Sequence, residues 1–160
     1  MSVANRETRP AIFGLEGTSL TAEEGAFFHE NRPWGIILFA RNIETREQLC
    51  ALTDDLREKF GNAHLPIFID QEGGRVARLK PPLVRPYPPA SAYTELFGQN
   101  PDAGTEAAHL GAMLLADDLR KLGITANCAP CLDLGLTGMS EVIGDRAFGE
   151  DGEAITRLGS

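Results

Sequence analysis

Short apolar runs alternate with helical segments along this chain, and this alternation limits the possible folds more than any other feature. The apolar runs lie at 11–17, 35–39, 66–70 and 124–134. The order β-α-β-α-β-α-β-α predicts parallel strands joined by right-handed crossovers, so we assign the chain to the α/β class. The runs lack polar alternation, which favours a sheet covered on both faces. Periodicity alone does not distinguish a closed barrel from an open sheet.

Helix boundaries are indicated by capping residues. Thr21 with Glu24 forms a capping box for the first helix, and Thr45 with Gln48 begins the second. A long loop is expected over 73–99, followed by a third helix from residue 100. One face of this helix is expected to be apolar, through Ala107, Leu110, Leu114 and Leu122. The segment 151–160 resembles the opening of a fourth helix.

Composition and charge exclude several classes of function. The 160 residues carry a formal net charge of -8, so no basic surface is expected for nucleic acid or an anionic membrane. The longest apolar run, 34–40, is too short to span a bilayer, and the first ten residues lack the apolar core of a secretory signal. Three cysteines give no disulfide framework and suit a reducing compartment. A cytoplasmic location is therefore expected.

Polar residues follow the apolar runs, where parallel α/β proteins place their ligands. They are Glu16, Arg41, Asn42, Asp70, Glu72 and Asp133. Asp70 is the strongest candidate, because a carboxylate at a strand end accepts hydrogen bonds from two neighbouring sugar hydroxyls; the alternative is a cap for the following turn. The pair Gly73 and Gly74 allows a sharp turn or close approach to a ligand. The proline-rich stretch 81–89 is interpreted as a stiff lid or wall.

Two arginines and two further aspartates are weaker candidates. Arg78 and Arg146 offer planar forks of donors to ligand oxygens, and the alternative for both is a surface salt bridge. Asp133 and Asp145 either form a carboxylate pair or serve to orient an arginine or cap a loop.

Cysteine, histidine and glycine patterns favour no metal, redox or phosphate site. Cys128 and Cys131 form a CxxC, but residues three apart on a strand point to opposite faces, so both are interpreted as small buried residues. The three histidines lack ligand spacing and are expected to be structural. Neither GxGxxG nor GxxxxGK occurs in the chain.

Four ordered motifs resemble those of a known family. GIILFARN, PIFIDQEGGRVARL, NCAPCLDLG and VIGDRAFGED are similar to successive motifs of the glycoside hydrolase family 3 β-N-acetylhexosaminidases of bacterial cell-wall recycling. The resemblance runs from about residue 11 to the end of the chain. It implies a TIM (β/α)8 barrel, of which this chain holds about the first four βα units. Residues 1–160 are then the N-terminal half of one catalytic barrel, with no second domain.

The resemblance also implies a reaction and a substrate. Family members remove terminal β-linked N-acetylglucosamine, chiefly from anhydro-muropeptides, by a retaining mechanism that needs no metal or organic cofactor. By motif, Asp70, Arg78 and Arg146 would bind the sugar. The family's Lys-His pair, acid/base histidine and nucleophilic aspartate follow beyond residue 160, so no residue here receives a catalytic role and the isolated chain is expected to be inactive.

Other hypotheses remain open at this point. The chain is alternatively a non-catalytic carbohydrate-binding or assembly module that keeps the sugar-binding residues. A parallel-barrel enzyme with a phosphate or nucleotide ligand is a third alternative, disfavoured by the missing phosphate loops. A half barrel leaves its first and fourth strands with unpaired edges, so self-association is expected.

Overall fold

The computed structural model describes residues 8–136, 138 and 140–160. Its strands are β1 (Arg9–Gly14), β2 (Pro33–Leu38), β3 (Ile67–Ile69), β4 (Gln71–Gly73), β5 (Val76–Ala77) and β6 (Ala126–Asn127). Its α-helices are α1 (Ala22–Asn31), α2 (Arg46–Phe60), α3 (Ala90–Gln99), α4 (Pro101–Arg120) and α5 (Gly152–Leu158). Short 3₁₀ turns occur at Ala40–Asn42 and Gly144–Arg146. The described residues form two compact units: residues 8–69 with 119–126, and residues 70–118 with 127–160.

The first unit is built on a parallel sheet with the strand order β1-β2-β3-β6. Ile36 of β2 is aligned with Ile67 of β3, and Leu38 with Ile69. These four side chains share one face of the sheet and are fully buried, whereas Phe68, on the opposite face, is only half-buried. The coverage predicted for both faces is therefore only partial on the second face. The predicted α/β class with parallel strands is confirmed.

Both predicted helix starts of this unit are confirmed. The Thr21 hydroxyl accepts a hydrogen bond from the backbone N–H of Glu24, and the Glu24 carboxylate accepts one from the N–H of Thr21, which completes the capping box. Thr45 caps α2 in the same way through the N–H of Gln48. Gly61 ends α2 in the left-handed conformation at φ 59.

Glu24 makes the stability of this unit depend on pH. Burial alone would raise the pKa of Glu24, but hydrogen bonds from the N–H groups of Thr21 and Glu16 outweigh it and lower the pKa below 4.5. A carboxyl whose pKa is lower in the folded state stabilises the fold above its unfolded pKa, and the stabilisation is lost as the pH falls through the folded pKa. Glu24→Gln is therefore expected to lower the urea midpoint at pH 7, by a difference that shrinks as the pH falls from about 4 towards 3.

The matched control for this prediction is Glu23→Gln. Glu23 neighbours Glu24 in the first turn of α1 but makes no hydrogen bond with the described residues. Its replacement should therefore not reproduce the pH-dependent difference. A Glu24→Gln difference that stayed constant from pH 7 to pH 3 would contradict the role given to the Glu24 carboxylate.

The loop predicted over 73–99 is wrong, because this segment contains β5 and the ten-residue helix α3. The start of α3 escaped sequence reasoning because its N-cap is Pro89, which offers no side-chain cap to the helix. The single extended residue Asn100 separates α3 from α4, which begins at Pro101 near the predicted position.

The fourth apolar run is also much less regular than predicted. Of 124–134, only Ala126 and Asn127 form a strand. Pro130 offers no N–H to a sheet ladder and restricts the conformation of Ala129, so pairing cannot continue through it. The expected fourth helix is present as α5.

The apolar face predicted for α4 is partly wrong. Leu110 and Leu114 are 49% and 44% exposed. The buried face instead carries small residues: a side chain added at Gly104 would meet Phe97 of α3 at 2.4 Å, and one at Gly111 would meet Tyr93. Helix α4 therefore approaches α3 closely through glycines, and its leucines lie on another face. None of the helices in the described ranges is long and apolar enough to cross a membrane.

Candidate functional site

Asp70 and Arg78 form an ion pair in the second unit. Asp70 directly follows β3, and its Oδ2 accepts a hydrogen bond from Arg78 Nη2 at 2.7 Å. Both side chains remain partly exposed. Within residues 8–136, 138 and 140–160, the Asp70 carboxylate accepts no bond from a backbone N–H, so it does not act as the turn cap that was the alternative. The pair brings a carboxylate and a guanidinium to one accessible point.

Gln71 holds Arg78 in place, and sequence reasoning missed it. Its side chain is only 1% exposed. Oε1 accepts hydrogen bonds from the backbone N–H groups of Arg78 (2.8 Å) and Leu79 (2.9 Å), while Nε2 donates to Leu79 O at 2.9 Å. The Gln71 backbone exchanges two further bonds with the Asn127 side chain. The sequence did contain one signal for Gln71: a glutamine next to an apolar strand is expected to be buried, and a buried amide requires hydrogen-bond partners.

Arg146 is paired with Glu72, two residues beyond Asp70. Arg146 Nε and Nη2 donate to the two Glu72 carboxylate oxygens at 2.8 and 2.7 Å. The hydrogen bonds that Arg146 donates to this carboxylate, opposed by desolvation, raise the pKa of Arg146, which stays charged. Both predicted arginines thus form ion pairs, as their structural alternative required. The ion pairs are two separate ones, and the structure records no direct bond between Arg146 and Asp70 among the described residues.

Arg75 fixes the loop that carries Arg146. Its Nη2 donates to the carbonyl oxygens of three successive residues, Glu141, Val142 and Ile143, at 2.6 to 3.2 Å. Its Nε donates to Asp145 Oδ1 at 2.8 Å. Asp145 therefore orients an arginine, which was one of its predicted alternatives. Asp133 is exposed and has Cys131 Sγ at 3.6 Å from Oδ2.

The two adjacent glycines fit against the proline-rich stretch. Gly73 has φ +102, and a Cβ added there would lie 2.2 Å from the carbonyl oxygen of Pro88. Gly74 donates its N–H to Tyr87 O at 2.9 Å. The close approach is thus to the protein's own backbone. It supports the interpretation of 81–89 as a wall.

Helix α4 anchors the same wall through one buried carboxylate. Asp118 Oδ2 accepts hydrogen bonds from Tyr87 Oη at 2.7 Å and from Arg85 Nε at 3.0 Å. Partial burial and the bond to Asp118 raise the pKa of Tyr87, so its hydroxyl stays a donor at neutral pH. The proline-rich stretch is therefore held in place at residues 85 and 87.

The interpretation of Cys128 and Cys131 as small buried residues is wrong for Cys128, which is exposed, and Cys131 is half-buried. The physical reason is that neither lies in a strand, since β6 ends at Asn127. Partial desolvation of its sulfur, a hydrogen bond with Asp70 and the charges of Asp70 and Glu72 raise the pKa of the Cys128 thiol.

The polar residues after β1 and β2 are structural. Asn42 is fully buried and donates to the carbonyl oxygens of Leu15 and Gly17, while its Oδ1 accepts from the N–H of Phe39. Arg41 Nε also donates to Leu15 O, at 2.8 Å. These residues hold loops of the first unit together.

The three histidines are divided between the two units. His29 and His64 line a groove of about 790 Å³ in the first unit, together with Trp34 and Phe60. His109 lies on the exposed surface of α4. In the described part of the chain, no three His, Cys, Asp or Glu side chains lie close enough together to hold a metal ion.

Comparison with protein families assigns the chain. Residues 16–160 match the family described as the glycosyl hydrolase family 3 N terminal domain. The chain belongs to glycosyl hydrolase family 3. The motif resemblance found in the sequence is thereby confirmed, and the α/β fold is a TIM-barrel-like fragment of this family.

Curated relatives of this family 3 chain carry the name Beta-hexosaminidase. The protein from Alkalilimnicola ehrlichii is 40% identical over 149 residues, a match that covers 93% of this chain and 42% of the relative. The protein from Methylococcus capsulatus is 40% identical over 145 residues, covering 91% and 41%. The chain thus spans less than half the length of these relatives.

Solved structures resemble the chain closely. NagZ from Neisseria gonorrhoeae superposes with a TM-score of 0.88 at 32% identity, covering 95% of this chain and 44% of that one. A further structure of this NagZ, in complex with N-trifluoroacetyl-D-glucosamine, has the same TM-score and identity, covering 95% and 45%. A family 3 β-N-acetylglucosaminidase from Paenibacillus reaches 0.83 at 32% identity, covering 93% and 28%.

Proposed function

We propose that this chain supplies the sugar-binding part of a retaining β-N-acetylhexosaminidase that removes terminal β-linked N-acetylglucosamine from peptidoglycan fragments such as anhydro-muropeptides. The relatives named Beta-hexosaminidase and the NagZ complex with a glucosamine derivative support this assignment. The observation that carries it is the Asp70–Arg78 pair, which follows a strand of the parallel sheet directly and stays accessible.

The geometry suits a polyhydroxylated ligand. Asp70 uses one carboxylate oxygen for Arg78, which leaves lone pairs on the other for sugar hydroxyls. Arg78 Nε is buried and has no partner among the described residues, so this guanidinium is not saturated by the protein. Acceptors and donors side by side are what neighbouring hydroxyl and acetamido groups require. We assign Asp70, Arg78 and Arg146 to substrate binding.

The chemical step is proposed to depend on residues outside this chain. Retaining glycosidases need a nucleophile and an acid/base group close to the scissile bond. Asp145 is committed to Arg75, and Asp133 is exposed beside Cys131, so neither is a suitable nucleophile. We place both catalytic groups in the region of the longer relatives that this chain does not match. No metal or organic cofactor enters this proposal.

Location and assembly complete the proposal. Three free thiols support a cytoplasmic location. Self-association is proposed through the unpaired edges of the half barrel, and large apolar side chains exposed on the surface support it. The most exposed of them in the second unit are Leu110, Met113, Leu132 and Val142.

The proposal is tested by ligand-observed NMR on the purified chain. Methyl β-N-acetylglucosaminide is titrated against the chain and compared with methyl β-glucoside, and light scattering gives the mass of the same sample. We expect binding that requires the acetamido group, and no hydrolysis of a chromogenic β-N-acetylglucosaminide. Hydrolysis should appear when residues 1–160 replace the matching region of the Alkalilimnicola relative.

The alternatives give different results. Sugar binding without hydrolysis in the chimera would support a non-catalytic carbohydrate-binding module. Absence of any sugar binding by a folded chain, with an inactive chimera, would overturn the proposal. Turnover by the isolated chain would show that the catalytic groups lie within these 160 residues.

A further inference from the structure

Glu72 is buried beside Arg146 and uses both carboxylate oxygens on it. The Glu72 side chain is only 10% exposed, and the two bonds measure 2.8 and 2.7 Å. Because both oxygens are occupied by one guanidinium, Glu72 is poorly placed to bind a sugar itself. Its contribution to a ligand must pass through Arg146.

The pairing leaves part of the Arg146 guanidinium unused. A guanidinium has five N–H donors. Two donate to Glu72 and a third donates from Nη1 to Val142 O at 3.2 Å. Among the described residues no further acceptor is recorded, so two N–H groups remain for a ligand. The bidentate pair fixes the plane in which they lie.

Holding the loop does not require Glu72. Arg75 already binds three carbonyl oxygens of 141–143 and the side chain of Asp145. The backbone around Arg146 is therefore fixed independently. Glu72 therefore acts on the guanidinium of Arg146 alone: it fixes the orientation of this group and compensates its charge.

The charges of the two ion pairs cancel. Two carboxylates and two guanidiniums are present: Asp70 with Arg78, and Glu72 with Arg146. Asp70 and Glu72 lie on either side of the buried Gln71, and residues two apart on an extended chain point to the same face, which makes the two pairs neighbours. Two neutral ion pairs offer hydrogen bonds to neutral hydroxyls but exert no net attraction on an anion. An unpaired arginine would attract an anion through its charge.

We infer that Glu72 is a specificity-determining residue: it orients Arg146 as a hydrogen-bond donor and neutralises its charge, so that the subsite selects a neutral N-acetylhexosamine over an acidic one. This inference rests on the proposed function, because it takes the sugar to bind at Asp70, Arg78 and Arg146. It deepens that function by naming the charge class of the sugar.

The test compares two sugars that differ by one carboxylate. N-acetylglucosamine and N-acetylmuramic acid are titrated by ligand-observed NMR against the wild-type chain, Glu72→Gln and Glu72→Asp. Glu72→Gln should weaken N-acetylglucosamine binding by about fivefold and strengthen N-acetylmuramic acid binding, because it frees the Arg146 charge. Glu72→Asp keeps the charge, so it should weaken the neutral sugar yet retain the preference for it.

The controls separate selectivity from folding. Asp102→Asn removes the acid of another ion pair of this unit, with Arg157, whose aspartate is 95% exposed, and should leave both affinities unchanged. Circular dichroism checks each fold. If Glu72→Gln does not fold, Arg146→Gln gives the converse test: it leaves Glu72 charged and should raise the preference for the neutral sugar.

Each outcome decides the inference. An unchanged ratio of the two affinities in Glu72→Gln, or in Arg146→Gln where that variant is needed, overturns the role of Glu72 while leaving the proposed function intact. Loss of preference in Glu72→Asp would also contradict it, since the charge is retained there. A wild-type chain that binds neither sugar refutes the proposed function first, and the inference with it.

Discussion

Asp70→Asn is expected to weaken binding of methyl β-N-acetylglucosaminide by about 10- to 100-fold, the usual effect of losing charge-assisted hydrogen bonds. The substitution keeps the size of the side chain but removes the negative charge that pairs with Arg78 at 2.7 Å. Arg78 then loses its orienting partner, and one oxygen of residue 70 becomes an N–H₂ donor. The measurement is the dissociation constant from ligand-observed NMR.

The control for Asp70→Asn is the exposed Asp102, whose change to Asn removes one negative charge elsewhere in the same unit. Only the Asp70 variant should lose affinity. The urea midpoint of Asp70→Asn should stay close to that of the wild type, because partly exposed ion pairs contribute little to stability. Undiminished affinity in a folded Asp70→Asn chain would remove Asp70 from the substrate-binding set.

Gly73→Ala should lower the free energy of unfolding of the chain by about 2–5 kcal/mol, through backbone strain and overpacking together. The residue has φ +102, and its added methyl group would lie 2.2 Å from the Pro88 carbonyl oxygen. Neither the hairpin of β4 and β5 nor the proline-rich wall has a flexible side chain there that could move aside. Urea unfolding followed by circular dichroism measures the loss.

Gly61→Ala separates the two causes. Gly61 has φ +59, but no atom lies within 4 Å of the Cβ that the substitution would add. It should cost only about 1 kcal/mol, the cost of the left-handed conformation for alanine. Equal losses for Gly61→Ala and Gly73→Ala would mean that the wall yields to the added methyl group. The tight fit described for Gly73 would then be wrong.

The parts of the fold that local chemistry dictates were predictable from sequence. Thr21 with Glu24 and Thr45 with Gln48 are capping pairs whose partners lie three residues apart, so the sequence contains the whole signal. The parallel sheet followed from the order of apolar runs, because parallel strands require crossover helices.

Features that depend on distant packing were not predictable. The spacing of Leu110 and Leu114 indicates an apolar face of α4, but the face that packs is decided by Tyr93 and Phe97 meeting Gly104 and Gly111. Periodicity does not reveal that a glycine is chosen for close approach. The start of α3 at Ala90 also lacks a local signal, because Pro89 provides no side-chain cap. This end of the helix packs instead against the core formed around Ala108 and Phe148.

The candidate site likewise contains residues that the sequence indicates and residues that only the folded structure reveals. Asp70 stands out in the sequence because it ends an apolar run, Arg78 and Arg146 because they offer planar donors, and the family resemblance supports all three. The structure shows the first two in contact. Gln71 was not among the candidates, and Glu72 was predicted only as a polar residue near a strand end, not as the partner of Arg146. Glu72 and Arg146 are 74 positions apart in the sequence, and no local pattern predicts that they pair.

Gln71 sets the length of the segment that joins the two halves of the Asp70–Arg78 pair. Its buried amide forms hydrogen bonds with the backbone at positions 78 and 79, as the backbone of a neighbouring strand would. A residue inserted or removed between 72 and 77 would shift this register and present the wrong peptide groups to the amide. Surface loops usually tolerate changes in length, but we expect related chains to keep the spacing of eight positions between Asp70 and Arg78.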